Sequence, residues 1–128
     1  LSDLTKLLVS KDITKVLPAL ESLTTGAEAV GLELLVSALY RHFRMIFLYG
    51  VLKLRMDNDE IFKRLGVYAS QQQDCILSSK VYDPSRCAKI FELLREFDQK
   101  IKTGVISRDK DTNQEFEAMK QLLLQIFR

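Results

Sequence analysis

Apolar residues recur at spacings of three and four along almost the whole chain, the period that places them on one face of an α-helix. Five glycines and two prolines are the only strong breakers in 128 residues, and no segment reads as a strand, a repeat or a low-complexity tract. The pattern predicts an all-α fold: a compact bundle of about five to six helices with one long central helix, preceded by a short helical stretch over 2–9 that carries Leu4, Leu7 and Leu8.

The individual helices follow from caps and stripes. Asp12 opens a segment with Ile13, Val16, Leu17, Leu20 and Leu23 that should end near Gly26. Pro18 sits inside that stripe without the N–H that would bond Thr14, which predicts a kink or a later start. The longest element is expected over 27–55. Glu33, Ser37, Arg41, Arg44 and Arg55 crowd one narrow sector of it, while leucines, phenylalanines and Ile46 fill most of the remaining circumference. So wide an apolar surface marks a helix that its fold surrounds, with some surface left for a second body.

Short pieces come next. Asp57 with Glu60 forms a capping box before Ile61, Phe62 and Leu65, stopped by Gly66, and Ser70 with Gln73 suggests another box before Ile76 and Leu77. Asp83-Pro84 supplies a cap and a first-turn proline for a long helix with the stripe Cys87, Ile90, Phe91, Leu94, Phe97 and Ile101, ended by Gly104. After a polar loop over 105–111, Thr112 with Glu115 caps a last helix that turns Phe116, Met119, Leu122, Leu123, Ile126 and Phe127 inward.

Composition narrows the function. A chain of this length forms one domain and buries about two-thirds of its unfolded surface. The net charge is +2, from 19 basic and 17 acidic residues, and each half carries +1, so no basic tail announces a nucleic-acid partner. Cys75 and Cys87 fit neither a disulfide framework nor a C-x-x-C site and are read as reduced thiols. The longest apolar run, 45–52, is far short of the roughly 20 residues that span a bilayer, so no membrane segment is expected. No signal peptide is recognisable, and a start at Leu1 suggests a piece of something longer.

Candidate chemistry is sparse. His42 is the only histidine, so a histidine-based metal cluster is impossible, and its place among Tyr40 and Phe43 reads as structural. There is no phosphate-cradling glycine loop. The run from Asp109 to Asn113 imitates the opening of a calcium loop, but Gln114 stands at the glycine position and Lys120 at that of the bidentate glutamate. No cofactor, metal or catalytic residue is therefore expected. Residues 57–80 have the outline of a helix-turn-helix DNA reader, with Gln71, Gln72 and Gln73 as base readers. The acids Asp57, Asp59, Glu60 and Asp74 outnumber the bases Lys63, Arg64 and Lys80 over 57–82, a net −1 that disfavours phosphate contact. Asp98 falls within the apolar stripe of its helix and should need a cation, either Lys102 four residues on or Arg41 or Arg44 across the helix interface. The cross-helix pair is the preferred expectation.

Three segments in order carry a family resemblance: LYRHFRMIFLYGVLKL (39–54), IFKRLGV (61–67) and LLREFDQKIKTG (93–104). They resemble the R-x-F-R, I-A-x-x-L-G and alanine-aspartate…I-K-[ST]-G motifs of the C-terminal domain of the bacterial DNA polymerase III delta subunit. Arg41, Phe43 and Arg44 match the first motif, Ile61, Leu65 and Gly66 the second, and Asp98, Lys102, Thr103 and Gly104 the third. Phe62 and Phe97 replace small residues, and the proline usual after the second motif is absent.

The resemblance implies a collar domain over 12–128 that holds delta in the pentameric clamp loader, with 1–11 as the end of a preceding lid domain and its linker. The implied partners are the gamma/tau and delta-prime subunits. The sliding clamp and DNA would be met only through the full-length protein and complex, in the bacterial cytoplasm at the replisome. The family belongs to the DNA-directed DNA polymerase III holoenzyme, but this piece is expected to have no enzymatic activity of its own. Leu34, Met45 and Leu52, stacked on one line of the long helix, are the expected interface positions. The alternatives are the helix-turn-helix DNA-binding domain centred on 57–80 and a small helical enzyme or metal protein.

Overall fold

The computed structural model describes residues 2–25, 29–106 and 112–128. They form α1 (Ser2–Leu7), a 3-10 turn (Leu8–Ser10), α2 (Ile13–Thr25), α3 (Leu32–Leu52), α4 (Asn58–Leu65), α5 (Ala69–Val81), α6 (Pro84–Lys102) and α7 (Thr112–Phe127). The fold is all-helical among these residues. Six of the seven α-helices fall within 12–128, and α1 adds a seventh.

Local chemistry accounts for most of the boundaries. Asp57 accepts from the Glu60 N–H at 2.9 Å and Asp83 from the Arg86 N–H at 2.7 Å, so both carboxylate caps satisfy a donor that the first turn would leave unpaired. Gly66 ends α4 at φ 68°, a left-handed conformation that glycine adopts without strain. Asp12 accepts from both the N–H and the hydroxyl of Thr14 at 3.0 and 2.6 Å, which holds its carboxyl below the usual range.

Two boundaries differ from the expectation, and a third decides between alternatives. Helix α3 starts at Leu32 behind Gly31 and stops at Leu52, shorter than 27–55 at both ends. Helix α5 begins at Ala69 with Tyr68 as its N-cap, so Ser70 lies inside the first turn and makes no cap. Pro18 lies within α2, which begins at Ile13, five residues ahead of it, so the later start is not taken. The expected stop at Gly26, the side-chain cap of Thr112 and the calcium-like run lie outside the described residues.

Two cores organise the helices. The main one gathers Leu4 and Leu8 with Val16 and Leu20 of α2, the inner stripe of α3, that of α6 and that of α7. Its largest contact is between α3 and α6, with α2 on α7 the next. Phe43 meets Tyr82 edge-on at 5.1 Å, and the buried Tyr82 hydroxyl donates to the Leu8 carbonyl at 2.6 Å, tying the first turn of the chain to the α5–α6 junction. Arg86 donates to the carbonyls of Gln125 and Ile126 at 2.8 and 2.6 Å, so α6 closes the C-terminal end of α7. The second core lies between α3, α4 and α5: Tyr49, Ile61, Phe62, Val67 and Cys75 are buried there, with Met45 and Leu52 packed against them.

At Gly50 the backbone of α3 approaches α6 closely. A Cβ at this position would lie 3.1 Å from Cγ of Pro84, at the first position of α6. Overpacking by several carbons at such a contact destabilises by roughly 1–3 kcal/mol. Gly50→Leu should therefore lower the denaturation midpoint by a corresponding amount, although leucine is the better helix former; an unchanged midpoint would refute the close fit.

His42 lies on the opposite flank of α3, over a cavity of about 110 Å3 shared with α1 and α5 and lined by Lys6, Asp74 and Ser78. Burial holds its imidazole near pKa 4, against 6.5 for an ordinary histidine, although Asp74 pulls the other way. The folded state thus keeps His42 neutral where the unfolded chain protonates it. Above about pH 6.5 both states are neutral and the fold loses nothing; as pH falls from there towards 4 only the unfolded chain takes up the proton, and stability drops by up to about 3 kcal/mol. His42→Gln should flatten the dependence of unfolding free energy on pH between 7 and 4, read by urea titrations at each pH.

Candidate assembly surface

The two cores use up most of α3. Leu32, Leu35, Val36, Leu39, Phe43 and Ile46 enter the main core, and Tyr49 enters the second. What remains outward is the sector that holds Arg41 and Arg44, both exposed and without an ion pair among the described residues. Leu34 and Tyr40 stand on the same side with 46% and 48% of their surface open, and Val51 lies further along.

Of the three interface positions expected from the helical line, only Leu34 faces away from the chain's own cores. Met45 and Leu52 are partly buried against the second core. The correction has a physical reason: α4 and α5 fold back onto the C-terminal half of α3 and cover the line there, whereas nothing among the described residues covers its N-terminal end. Periodicity alone is blind to which neighbour takes which part of a helix.

Beside the exposed sector runs an open groove of about 490 Å3 between α3 and α6. Its floor is apolar, with Val36 and Leu94 below and Phe91 and Tyr40 along the sides. The rings of Tyr40 and Phe47 both contact Phe91, at 5.5 and 5.7 Å between centroids, which fixes the aromatic wall. Glu33, Glu92, Arg95 and Asp98 form the rim.

Asp98 corrects a second expectation. Its carboxylate pairs with Lys102 Nζ at 2.7 Å, one turn along the same helix, and not with Arg41 or Arg44. Its side chain keeps 34% of its surface open and that of Lys102 64%, so the stripe carries Asp98 to the edge of the interior, where it stays wet. The remaining motif residues divide plainly. Phe43 is fully buried, Lys102 sits in the last turn of α6 where the helix dipole favours a cation, and Gly104 follows with φ 79°.

The region read as a possible helix-turn-helix does contain two helices joined at Gly66. Cys75, Ser78 and Ser79 of α5 are buried, Gln72 donates to the Val67 carbonyl at 3.5 Å, and Gln71 and Gln73 are exposed. Burial pushes the thiols of Cys75 and Cys87 up to about 11, which leaves both in the unreactive thiol form near neutral pH. No group of three or more metal-ligating side chains converges among the described residues, and no described helix is long and apolar enough to cross a membrane.

Because the Asp98–Lys102 pair is half in water, Asp98→Ala should shift stability by under about 1 kcal/mol. A loss of 3–5 kcal/mol, the range for stranding one member of a buried pair, would return Asp98 to the interior.

No curated protein and no solved structure matches the chain. Residues 2–120, nearly the whole length, match the family described as the DNA polymerase III delta subunit, C-terminal domain. The all-helical architecture, with Phe43 in the core and Arg41 and Arg44 outside it, is the setting in which that match falls, and the chain belongs to the C-terminal domain family of the DNA polymerase III delta subunit.

Proposed function

We propose that this chain is a collar domain: an assembly module that holds a delta subunit in the pentameric clamp loader, with no catalytic activity of its own. The observation that carries the reading is the outward side of α3. After two internal cores have formed, Leu34, Tyr40 and the aromatic-walled groove are still open to water on the longest described helix. A specific interface removes about 800 Å2 from each partner, and one face of a 21-residue helix with its neighbour α6 is of that scale. The exposed residue types also suit the role, since tyrosine and arginine are enriched where protein interfaces concentrate their binding energy.

In this reading the partners are the gamma/tau and delta-prime subunits, and clamp and DNA are reached only through the complete protein in the bacterial cytoplasm. Residues 1–11 are the end of a lid domain and its linker. The burial of Leu4 and Leu8 supports a stiff junction, because motion of the preceding domain would then be transmitted directly into the collar. The helix-turn-helix reading gains less support: α5 packs against both α3 and the Leu8–Ser10 turn, and the surface of that unit carries net negative charge.

Mixed with the C-terminal domains of gamma/tau and delta-prime at tens of micromolar, the chain should form a defined complex by light scattering, without clamp, ATP or DNA. Leu34→Glu should abolish that complex while shifting the unfolding midpoint by no more than about 0.5 kcal/mol, as expected of an exposed site. Separate monomers in the mixture, or a salt-sensitive submicromolar complex with duplex DNA instead, would refute the assembly role.

A further inference from the structure

Three elements enclose His42 around the cavity of about 110 Å3. Helix α3 carries it, α1 and the Leu8–Ser10 turn line the cavity through Lys6 and Val9, and α5 lines it through Asp74 and Cys75. No group of the protein meets the buried Nε2 of His42. A polar nitrogen buried in this way costs free energy that contact with water would remove. The charged and titratable groups facing the cavity are the ammonium of Lys6 on α1 and the carboxylate of Asp74 and thiol of Cys75 on α5; burial keeps that thiol neutral.

The three walls are not equally secured. Helix α3 contributes to both cores, and α5 sets Cys75 into the second while burying Ser78 and Ser79. Helix α1 has only six residues, against the roughly 12–15 that an isolated helix needs. Its anchors in the main core are Leu4 and, in the turn after it, Leu8, whose carbonyl accepts the Tyr82 hydroxyl. A unit this small opens while the larger helices stay packed.

We infer that α1 is a strap over His42 that acid releases: when α1 lifts, the imidazole reaches water and takes up a proton, and the charged ring then opposes the return of α1. With α1 docked the ring titrates at about 4, and freed it moves towards the ordinary 6.5. Above pH 6.5 neither state is protonated and opening is independent of pH. Below it only the open state takes the proton, so opening rises about ten-fold per pH unit down to about pH 4. The neighbouring charges act in the same direction. Asp74, on a wall that stays, keeps attracting the imidazolium, while the exposed Lys6, on the wall that leaves, adds a weaker repulsion to its return. The release belongs to the chain itself and holds or fails whether or not the chain assembles as a collar.

Amide hydrogen exchange followed by NMR reads the opening of α1 in the 128-residue chain, once the intrinsic exchange rate at each pH is divided out. The α1 amides should open roughly 100-fold or more above the Leu94 amide of the main core. Their opening should rise about 50-fold or more from pH 7 to pH 4.5. His42→Gln should abolish that rise. Leu4→Ala, which loosens the strap, should increase α1 opening about ten-fold or more at pH 7 and keep the rise. His42 is the sole histidine, so its ring signals give a second measurement on the unsubstituted chain: they should titrate at about 4. Opening of α1 that is the same at every pH would overturn the inference, as would opening that occurs only together with Leu94. A rise that persists in His42→Gln, or a His42 ring that titrates near 6.5 while α1 amides stay protected, would overturn it as well.

Discussion

The packing of α3 against α6 is the constraint from which the remaining arrangement follows. The two helices run antiparallel, with Gly50 close to Pro84 at one end and Glu33 facing Asp98 across the groove towards the other. A side chain at position 50 would wedge the helices apart at the start of α6, and the lack of one lets the Pro84 ring sit against the backbone of α3. The Phe43–Tyr82 contact lies near that approach, and Tyr82 in turn holds the Leu8 carbonyl. From the same end of α6, Arg86 reaches the last carbonyls of α7. The placement of α1 and of α7 is thus linked to one close helix pair through two hydrogen-bonding side chains.

A consequence is that α3 is covered unevenly. One side belongs to the main core, and its C-terminal half is claimed again by α4 and α5 through Tyr49, Met45 and Leu52. Its N-terminal half has no second cover among the described residues. Apolar and aromatic groups there remain in water at Leu34 and Tyr40, beside the apolar-floored groove between α3 and α6. This exposed apolar surface is the feature on which the proposed assembly role rests. The thiols are buried, and the one histidine is held neutral inside.

The residues that carry the resemblance also acquire separate physical duties. Phe43 fills the interior, while its neighbours Arg41 and Arg44 point away from it, which is what a spacing of two and one on a helix requires. Asp98 and Lys102 satisfy each other within one turn, and Gly104 supplies the left-handed residue just past the helix. Together these residues describe how a helix pair is built and ended, with two cations kept outside it.

The sequence by itself determined the helical class, most of the helix positions, and the carboxylate caps at Asp57 and Asp83, because these depend on interactions within a few residues along the chain. It also determined the inward stripes of α6 and α7, which follow from a period of 3.6 residues. Only the tertiary structure decided the rest. Whether Met45 and Leu52 meet water depends on where α4 and α5 fold back, and that is set by contacts between residues distant in sequence. Asp98 occupies an angular position shared by buried and half-wet groups alike, so only the depth of its neighbours decided that it stays half-wet and keeps Lys102 of its own helix as partner in place of a cation from α3. The groove belongs to two helices at once, residues 33–40 of α3 and 91–98 of α6, so no local pattern encodes it.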